Sequence, residues 1–363
     1  MKDVNVLLVW DRMGDYHRAR WFALQKEMEG INVYGADMAG KDQLYRWART
    51  IENPLYIQLS NKKPQQFDVL RIWKFIKLLN RNHIGFICIA GYGSLEYMFF
   101  LLYGRLTGRK VILFAESWYR SSLVLDLFKS FLLKACCDGF LVSGKRAHFH
   151  FTDRLKIDST KILTGYSVVD NDHFKNRTQQ IEIPSKKILC VARFVPEKNL
   201  EFLIDAFKRS KMPGLEWELI IAGGGASFKQ LEERIEDAHV KLLNWVDYEK
   251  VPSLFHSAQI FILPSTFEPW GLVVNEAMAA GLPLVLSQEV GSAPDLLQVG
   301  KNGWSFMPND QKGLIDILNL ISVTSLERLR AMASESERII DQYRISLFST
   351  NLKKLIFETK SHS

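Results

Sequence analysis

The chain has 363 residues, of which 47% are hydrophobic and 24% are charged. This length exceeds one ordinary core, so we expect two domains, and the composition, without low-complexity tracts or short repeats, is that of a soluble globular protein. The longest uncharged apolar stretch, near Tyr97–Tyr103, is far shorter than the roughly 20 residues of a bilayer-spanning helix.

The charge is unevenly distributed along the chain. Residues 1–183 carry 27 Lys and Arg against 18 Asp and Glu, a net +9, whereas the remainder carries 20 against 22, a net −2. A basic first half favours an anionic partner, such as a membrane surface, a lipid diphosphate or nucleic acid. The first residues do not resemble a signal peptide, so we expect a cytoplasmic protein, with a peripheral position on the inner face of the cell membrane as a further option.

Short β-type runs alternate with helical patterns in both halves, which predicts α/β domains with parallel sheets and right-handed crossovers. In the first half the predicted strands are Val4–Val9, Ile31–Gly35, Ile84–Ala90, Lys110–Phe114 and Gly139–Val142, with helices at Phe67–Arg81 and Leu123–Cys136. In the second half the predicted strands are Lys187–Val191, Glu216–Ala222, Val240–Leu243, Gln259–Leu263 and Pro283–Leu286, with helices at Asn199–Lys208, Lys229–Asp237 and Leu272–Ala280.

A polar, aperiodic stretch divides the two halves. We therefore predict an N-terminal domain over residues 1–170, a linker over 171–186 and a C-terminal domain over 187–340. The helical segment over about 341–363 is expected to pack back on the N-terminal domain.

The most informative segment is Phe261–Pro283, a predicted strand, loop and helix. Ligands of doubly wound sheets bind beyond the carboxyl ends of the strands, where this loop falls. Gly271 and Leu272 begin a helix, whose free N–H groups favour a diphosphate. Glu276 in the second turn suits a ribose diol, and Glu268, kept extended by Pro269, can reach sugar hydroxyls. Taken alone, Glu276 is better interpreted as a solvated helical acid and Glu268 as an ordinary loop acid, because surface glutamates are common.

The joint pattern resembles the signature of glycosyltransferase family 4 (glycosyltransferase group 1), a retaining family with the GT-B architecture. The family frame has two glutamates separated by seven residues, and it is matched by Glu268, Gly271, Glu276, Ala277, Gly281 and Pro283, with Trp270 as the usual aromatic residue. The resemblance implies two Rossmann-like domains whose sheets face an interdomain cleft. It also implies a hexosyltransferase-type enzyme (EC 2.4 class) that uses a UDP- or GDP-sugar, with retention of anomeric configuration.

Further matches lie between residues 187 and 310. Arg193 and Lys198 sit at a strand end and a helix start, where two cations can neutralise a leaving diphosphate without a metal; a pair of surface cations is the alternative. Asn199 follows, where the family more often has Gly. Gly223 lies in a glycine turn, and Val246 lies where relatives hold the nucleotide base. We expect no cofactor and no metal.

The N-terminal half holds the candidate acceptor residues. In the family, the loop after the first strand faces the donor phosphate and the acceptor, and here it carries Gly14, Asp15 and His17. Asp15 and His17 are candidates for acceptor contact or proton handling, and a capping aspartate with a surface histidine fits equally well. Glu116, after another strand, is a third acceptor candidate. The Asp170-Asn171-Asp172 run is interpreted as a turn rather than a metal site.

Basic helices in the first half suggest membrane contact. Over Arg71–Arg81, apolar residues form one face, and the basic residues Arg71, Lys74, Lys77 and Arg81 line the other. Together with the apolar and basic segments Tyr97–Lys110 and Leu123–Lys134, this helix can rest on an anionic bilayer. Packed helices with solvated basic faces are an equally good reading. A basic half and the family's usual roles favour a lipid-linked saccharide or glycolipid acceptor in surface polysaccharide biosynthesis.

Other functions remain open at this point. A GT-B nucleotide-sugar epimerase needs no acceptor, and a sugar phosphorylase usually needs a pyridoxal cofactor. A nucleotide- or nucleic-acid-binding module is a third reading, but the basic residues lie on helices rather than among the aromatic stacking platforms of RNA-binding sheets.

Overall fold

The computed structural model describes residues 5–38, 51–63, 66–119, 121–175, 185–235 and 238–358. The chain divides into two compact units, one formed by residues 1–169 and 345–363 and the other by residues 170–344. The second unit begins earlier than the predicted linker, since Asn171–Phe174 is helical and the Asn171 amide donates to the Ile340 carbonyl at 2.9 Å. Residues 176–184 of the predicted linker lie outside the described residues.

Within its described residues, the first unit holds one parallel sheet of seven strands in the order β3-β2-β1-β4-β5-β6-β7. Its strands are β1 Asn5–Trp10, β2 Val33–Asp37, β3 Tyr56–Gln58, β4 Ile84–Ala90, β5 Lys110–Ala115, β6 Gly139–Val142 and β7 Ile162–Thr164. Its helices before the chain leaves the unit are α1 Asp15–Glu27, α2 Val69–Arg81, α3 Leu95–Leu106, α4 Leu123–Cys136 and α5 Lys145–Phe149. The central strands are continuous apolar runs because helices cover both faces of the sheet.

Helices α2, α3 and α4 share one core with the sheet. Phe75 of α2 stacks on Phe100 of α3 with ring centroids 3.8 Å apart, and Leu133 of α4 is fully buried in the same core. The prediction that Arg71 lies on an exposed basic face is wrong. Its side chain is fully buried and forms an ion pair with the buried Glu96 of α3.

The second unit holds a parallel sheet whose six described strands run in the order β10-β9-β8-β11-β12-β13. The strands are β8 Lys187–Val191, β9 Glu218–Ala222, β10 Val240–Leu243, β11 Ile260–Leu263, β12 Leu284–Ser287 and β13 Gly303–Phe306. The helices are α6 Asn171–Phe174, α7 Leu200–Arg209, α8 Phe228–Arg234, α9 Val251–His256, α10 Leu272–Ala279, α11 Ala293–Leu296, α12 Gln311–Ser322 and α13 Leu326–Ile340. Strands β3, β7 and β13 were not predicted from the sequence.

The last helix, α14 Ile345–Glu358, returns to the first unit and packs on α1. The Ser349 hydroxyl donates to the Glu27 carboxylate at 2.6 Å, and the Asn351 amide donates to the Thr164 carbonyl of β7 at 2.9 Å. The end of the chain is therefore part of the N-terminal unit.

The four cysteines are buried free thiols. Among the described helices, none combines the length and the apolar character needed to cross a membrane.

Candidate active site

The order of the strands in the second unit reverses between β8 and β11. The connections that follow these two strands leave in opposite directions, which opens a crevice at their carboxyl ends. Arg193 and Lys198 follow β8, whereas Glu268 and Gly271 follow β11. The fold thus brings two motifs that lie some 70 residues apart in the sequence to one edge of the sheet.

Lys198 and Glu268 form an ion pair at this edge, with side chains only 11% and 12% exposed. The lysine ends the short helical turn Pro196–Lys198, which holds the ammonium close to the β11 loop. Lys198 is therefore a cation already compensated by a carboxylate. Arg193, in contrast, is exposed, and its side chain has no ion pair within the described part of the chain.

Backbone hydrogen bonds tie three loops together around this pair. The N–H of Thr266 donates to the carbonyl of Glu197 at 2.9 Å, which joins the β11 loop to the β8 loop. The N–H of Glu268 donates to Glu289, and the N–H of Gly291 donates back to Glu268 at 2.9 Å, which joins the β11 loop to the loop after β12. The position of Glu268 is thus fixed by the backbone on two sides.

Helix α10 begins directly after these contacts. Gly271 has φ +87°, which favours glycine, and a Cβ there would lie 3.1 Å from Cγ of Glu268. The helix starts at Leu272, and the N–H groups of a first helical turn can bind an anion. Glu276 is only 3% exposed, so it is not the solvated surface acid that the sequence left open. Trp270 is buried and donates its indole N–H to Asn275 at 2.9 Å.

Gly223 is explained by close packing of two loops. It has φ +151°, and a Cβ at this position would lie 1.9 Å from the carbonyl oxygen of Ala192, after β8. Its N–H donates to Leu243, the last residue of β10, at 3.0 Å. Val246, three residues beyond that strand, is partly buried. Contact of Gly223 and Val246 with a nucleotide stays a prediction.

Two serines beside these loops were missed by the sequence analysis. Ser265 and Ser292 are fully buried, and within the described residues their hydroxyls have no hydrogen-bond partner. Serine is so common in loops that nothing in the sequence marks these two.

The other predicted residues lie in the first unit, which has a cavity of about 500 Å³. The cavity lies at the carboxyl ends of β4 and β5. His17 and Glu116 line it, together with Tyr166 and residues of α4. Glu116 accepts a hydrogen bond from the Ser167 hydroxyl at 2.6 Å, which fixes the carboxylate at the rim of β5.

His17 is a neutral group in this site. Its ring stacks on Trp10 with centroids 5.1 Å apart, and burial, followed by the nearby Arg20, lowers its pKa to about 3. A base this weak accepts a proton poorly near neutral pH. Of the two predicted uses, the environment of His17 therefore favours contact with an acceptor over proton abstraction.

Gly14 and Asp15 have local roles at the start of α1. Gly14 is extended, with φ −77°, and is the N-cap of the helix. Asp15 lies in the first turn, where a carboxylate stabilises the helix dipole, and it pairs with Arg18 at 3.5 Å. Asp15 is not among the described residues that line the cavity, and it is not a capping aspartate either, because Gly14 is the N-cap. Its use as an acceptor residue stays a prediction.

Arg20 was missed by the sequence analysis. Its side chain is fully buried, with Nε donating to the Val168 carbonyl at 3.0 Å and the guanidinium lying 4.9 Å from the ring centroid of Tyr166. Burial lowers the pKa of Arg20, and Tyr166 and Glu116 oppose that effect. This buried guanidinium interacts electrostatically with Glu116, one of the residues that line the cavity.

A metal site is not found within the described residues, since no group of three or more His, Cys, Asp or Glu side chains converges there. In the Asp170-Asn171-Asp172 run, the Asp170 carboxylate accepts from the N–H of Asp172 at 3.2 Å and caps α6. That run is a helix start.

A buried cation–carboxylate pair and a glycine-started helix lie at the switch point of this parallel sheet, where doubly wound α/β proteins bind their ligands. Residues 172–338 match the family model described as glycosyl transferases group 1. The match covers almost the whole second unit, which is therefore a group 1 glycosyltransferase domain.

Relatives and solved structures agree with this assignment. An uncharacterised glycosyltransferase of Methanocaldococcus jannaschii is 25% identical over 78% of this chain and 74% of its own length. The amylovoran biosynthesis glycosyltransferase AmsK of Erwinia amylovora is 34% identical over 38% of this chain, and the match spans about a third of AmsK (36%). HepE of Anabaena, solved in complex with UDP, is 15% identical and superimposes with a TM-score of 0.75 over 98% of this chain and all of its own. The likeness confirms the predicted GT-B class of two parallel-sheet α/β domains.

Proposed function

We propose that the protein transfers a sugar from a nucleotide-diphosphate sugar to a hydroxyl acceptor, with retention of anomeric configuration. The observation that carries the proposal is the Lys198–Glu268 pair beside the start of α10, at the carboxyl ends of β8 and β11. An acid that can orient a sugar, a cation and a helix N-terminus that can bind phosphates are thereby held at one edge.

The charges of the site suit a diphosphate. Lys198 is paired with Glu268, so Arg193 is the cation of the β8 loop that forms no ion pair within the described residues. As the glycosidic bond to the diphosphate breaks, negative charge grows on the leaving oxygens. Arg193, Lys198 and the N–H groups at Leu272 can stabilise it without a metal ion. Glu276, one turn further along α10, is proposed to bind the ribose.

The transfer step balances without a further reactant. The acceptor oxygen bonds to the anomeric carbon, the bond from that carbon to the diphosphate oxygen breaks, and the acceptor proton passes to the leaving diphosphate. In this scheme Glu268 positions the sugar, and attack and departure take place on one face, which retains the configuration.

The relatives suggest the donor and the biological role. HepE was solved with UDP and with UDP-glucose, and AmsK is named for amylovoran biosynthesis. We therefore propose a UDP-sugar donor, with a GDP-sugar as the alternative, and a role in polysaccharide biosynthesis at the inner face of the membrane. The cavity lined by His17 and Glu116 is the proposed acceptor site, and a lipid-linked saccharide is the proposed acceptor.

The proposal is tested by slow hydrolysis of UDP-glucose, in which water replaces the acceptor, with EDTA present throughout. We expect release of UDP and of glucose whose first-formed anomer, followed by NMR, matches that of the donor. Glu268→Gln should lower the rate about 100-fold or more, in line with the loss of a preorganised polar group. Glu232→Gln, an exposed acid on α8 of the same unit, is the matched control and should leave the rate unchanged. An inverted product, a strict need for a divalent metal, or full activity of Glu268→Gln contradicts the proposal.

A further inference from the structure

Helix α4 has its polar and apolar sides reversed relative to a water-facing helix. It buries Asp126 and Ser130, whereas Leu123, Val124, Leu127 and Phe131 are 64–76% exposed. Helices on the surface of a soluble domain normally turn the apolar stripe to the core. Of the α4 side chains, Leu133 and Cys136 alone are both apolar and fully turned inward.

The reversal is fixed by hydrogen bonds of the buried polar side chains. Asp126 accepts from Arg154 at 2.8 Å and from the Ser121 hydroxyl. The hydroxyl of Ser130 donates to the Leu155 carbonyl at 2.5 Å. Rotating the helix to bury its leucines would break these hydrogen bonds and would leave the carbonyl of Leu155 without the Ser130 donor. The hydrogen bonds of Asp126 and Ser130 therefore keep the apolar side chains of α4 on its outward face.

The charge of the outward face indicates what covers it. The single acid of α4, Asp126, is buried, and the two cations Lys129 and Lys134 remain. The neighbouring helix α3 adds exposed Leu102 and Leu106, with Arg105 between them. Apolar side chains bordered by cations, without exposed acids on α4, complement an anionic lipid surface rather than a typical mixed-charge protein surface.

The apolar face continues into the cavity of the first unit. Leu125 and Phe128 are both more than half exposed and also line the cavity. Lys129, between this rim and the interior, is held by the Ser121 hydroxyl at 3.0 Å and lies 5.9 Å from the ring centroid of Tyr92. Within the described residues no carboxylate pairs with Lys129. A cation at an apolar rim suits the phosphate of an amphiphile.

We infer that the outward face of α4 lies on an anionic lipid bilayer and that a bilayer-resident lipid acceptor reaches the cavity past Leu125 and Phe128, with its phosphate on Lys129. The docking of α4 stands on its own, whereas the acceptor role of the cavity rests on the proposed function. In this arrangement the acceptor does not leave the bilayer before it is glycosylated.

Co-sedimentation with vesicles tests the docking surface. Wild-type protein should bind vesicles of phosphatidylcholine mixed with phosphatidylglycerol, and bind pure phosphatidylcholine more weakly. Phe131→Ser should lower the partition coefficient about tenfold, since a buried aromatic side chain contributes about 1.5–3 kcal/mol. Val323→Ser, which changes an equally exposed apolar side chain (74%) on the other unit, is the matched control and should bind like the wild type.

Two outcomes overturn the docking inference. One is equal vesicle binding by Phe131→Ser and wild type. The other is an absence of vesicle binding together with concentration-dependent self-association that Phe131→Ser abolishes, which would make the face a contact between two copies. The thermal response to UDP-glucose is measured on the same samples. Because that response belongs to the second unit, its loss in the wild type contradicts the proposed function while leaving the vesicle result intact.

Calorimetry with soluble probes tests the cavity. Octyl phosphate should bind more tightly than octyl glucoside or inorganic phosphate, because only the first offers both an alkyl chain and an anion. Lys129→Gln should weaken octyl phosphate binding about tenfold, whereas Lys161→Gln, an exposed lysine at the start of β7, should not. Equal binding of inorganic phosphate and octyl phosphate, or no effect of Lys129→Gln, overturns the assignment of this site to a lipid phosphate.

Discussion

At the scale of single residues, Asn199 shows how one side chain positions the site. Its backbone is left-handed, with φ +54° and ψ +37°, directly after Lys198 and before α7. Apart from glycine, asparagine is among the few residues that adopt this conformation readily. Its amide also donates to the Pro308 carbonyl at 3.0 Å. Asparagine therefore meets the same backbone requirement as the glycine that is more usual there.

The left-handed backbone at position 199 leads us to expect an order of stabilities among variants there. Asn199→Gly keeps the backbone conformation and loses one hydrogen bond, so it should cost about 1 kcal/mol of unfolding free energy. Asn199→Ala adds the strain of a left-handed alanine, about 1–2 kcal/mol more. Denaturant unfolding of the two variants measures the difference. If alanine is tolerated as well as glycine, the left-handed conformation is not what position 199 requires.

The sequence predicted which residues lie at the candidate site better than it predicted which of them contact each other. Glu268, Gly271 and Glu276 stand in one recognisable frame, and Lys198 stands in another. That Lys198 and Glu268 neutralise each other depends on tertiary folding, which no local spacing reveals. Arg20 was missed for the same reason, because its burial beside Tyr166 is a property of the folded unit. The roles of the predicted residues toward a ligand stay predictions.

At the scale of elements, the loop after β11 depends on a glycine in the loop after β12. A Cβ on Gly291 would lie 1.9 Å from the Pro269 carbonyl oxygen and 2.8 Å from that of Glu268. The φ of Gly291 is not in the left-handed region, so the requirement is one of space alone. The two loops can approach closely enough to fix Glu268 only because position 291 has no side chain.

Gly291→Ala should therefore displace the Glu268 loop. We expect a loss of about 1–3 kcal/mol in unfolding free energy from overpacking, together with a lower rate of UDP-glucose hydrolysis. Gly214→Ala, where the added Cβ has open space in the same unit, is the matched control. Unfolding curves and hydrolysis rates of the two variants make the comparison. If both variants have the same unfolding free energy and the same hydrolysis rate, the close approach at Gly291 does not hold the Glu268 loop in place.

The helices and strands also show which features of the fold the sequence pattern does not predict. The long buried strands were predicted because their apolar runs are continuous. Strands β3 and β7 were not, since each has three residues and offers no period to detect. The segment of α4 was correctly predicted as helical, but its period does not reveal which side faces inward. The hydrogen bonds of Asp126 with Arg154 and of Ser130 with Leu155 decide that, and these two partners lie 28 and 25 residues away.

At the scale of the whole molecule, the uneven distribution of charge follows the division of the chain into two units. The basic excess of the sequence lies within residues 1–183, and the unit built largely from them carries the apolar face of α4 and the acceptor-side cavity. The second unit carries the Lys198–Glu268 pair and the family match. Donor chemistry and lipid contact are thus proposed for separate units.

Binding of a nucleotide-sugar to the second unit without a metal is tested by thermal unfolding with UDP-, GDP-, ADP- and dTDP-sugars in EDTA. One of them, expected to be a UDP-sugar, should raise the midpoint by several degrees, since ligand at about 100 times its Kd adds about 2.7 kcal/mol. Glu276→Gln, compared with its own ligand-free midpoint, should lose most of that rise, and Glu232→Gln should keep it. If no sugar nucleotide raises the midpoint, or if the rise requires a divalent metal, the assignment of the donor site is contradicted.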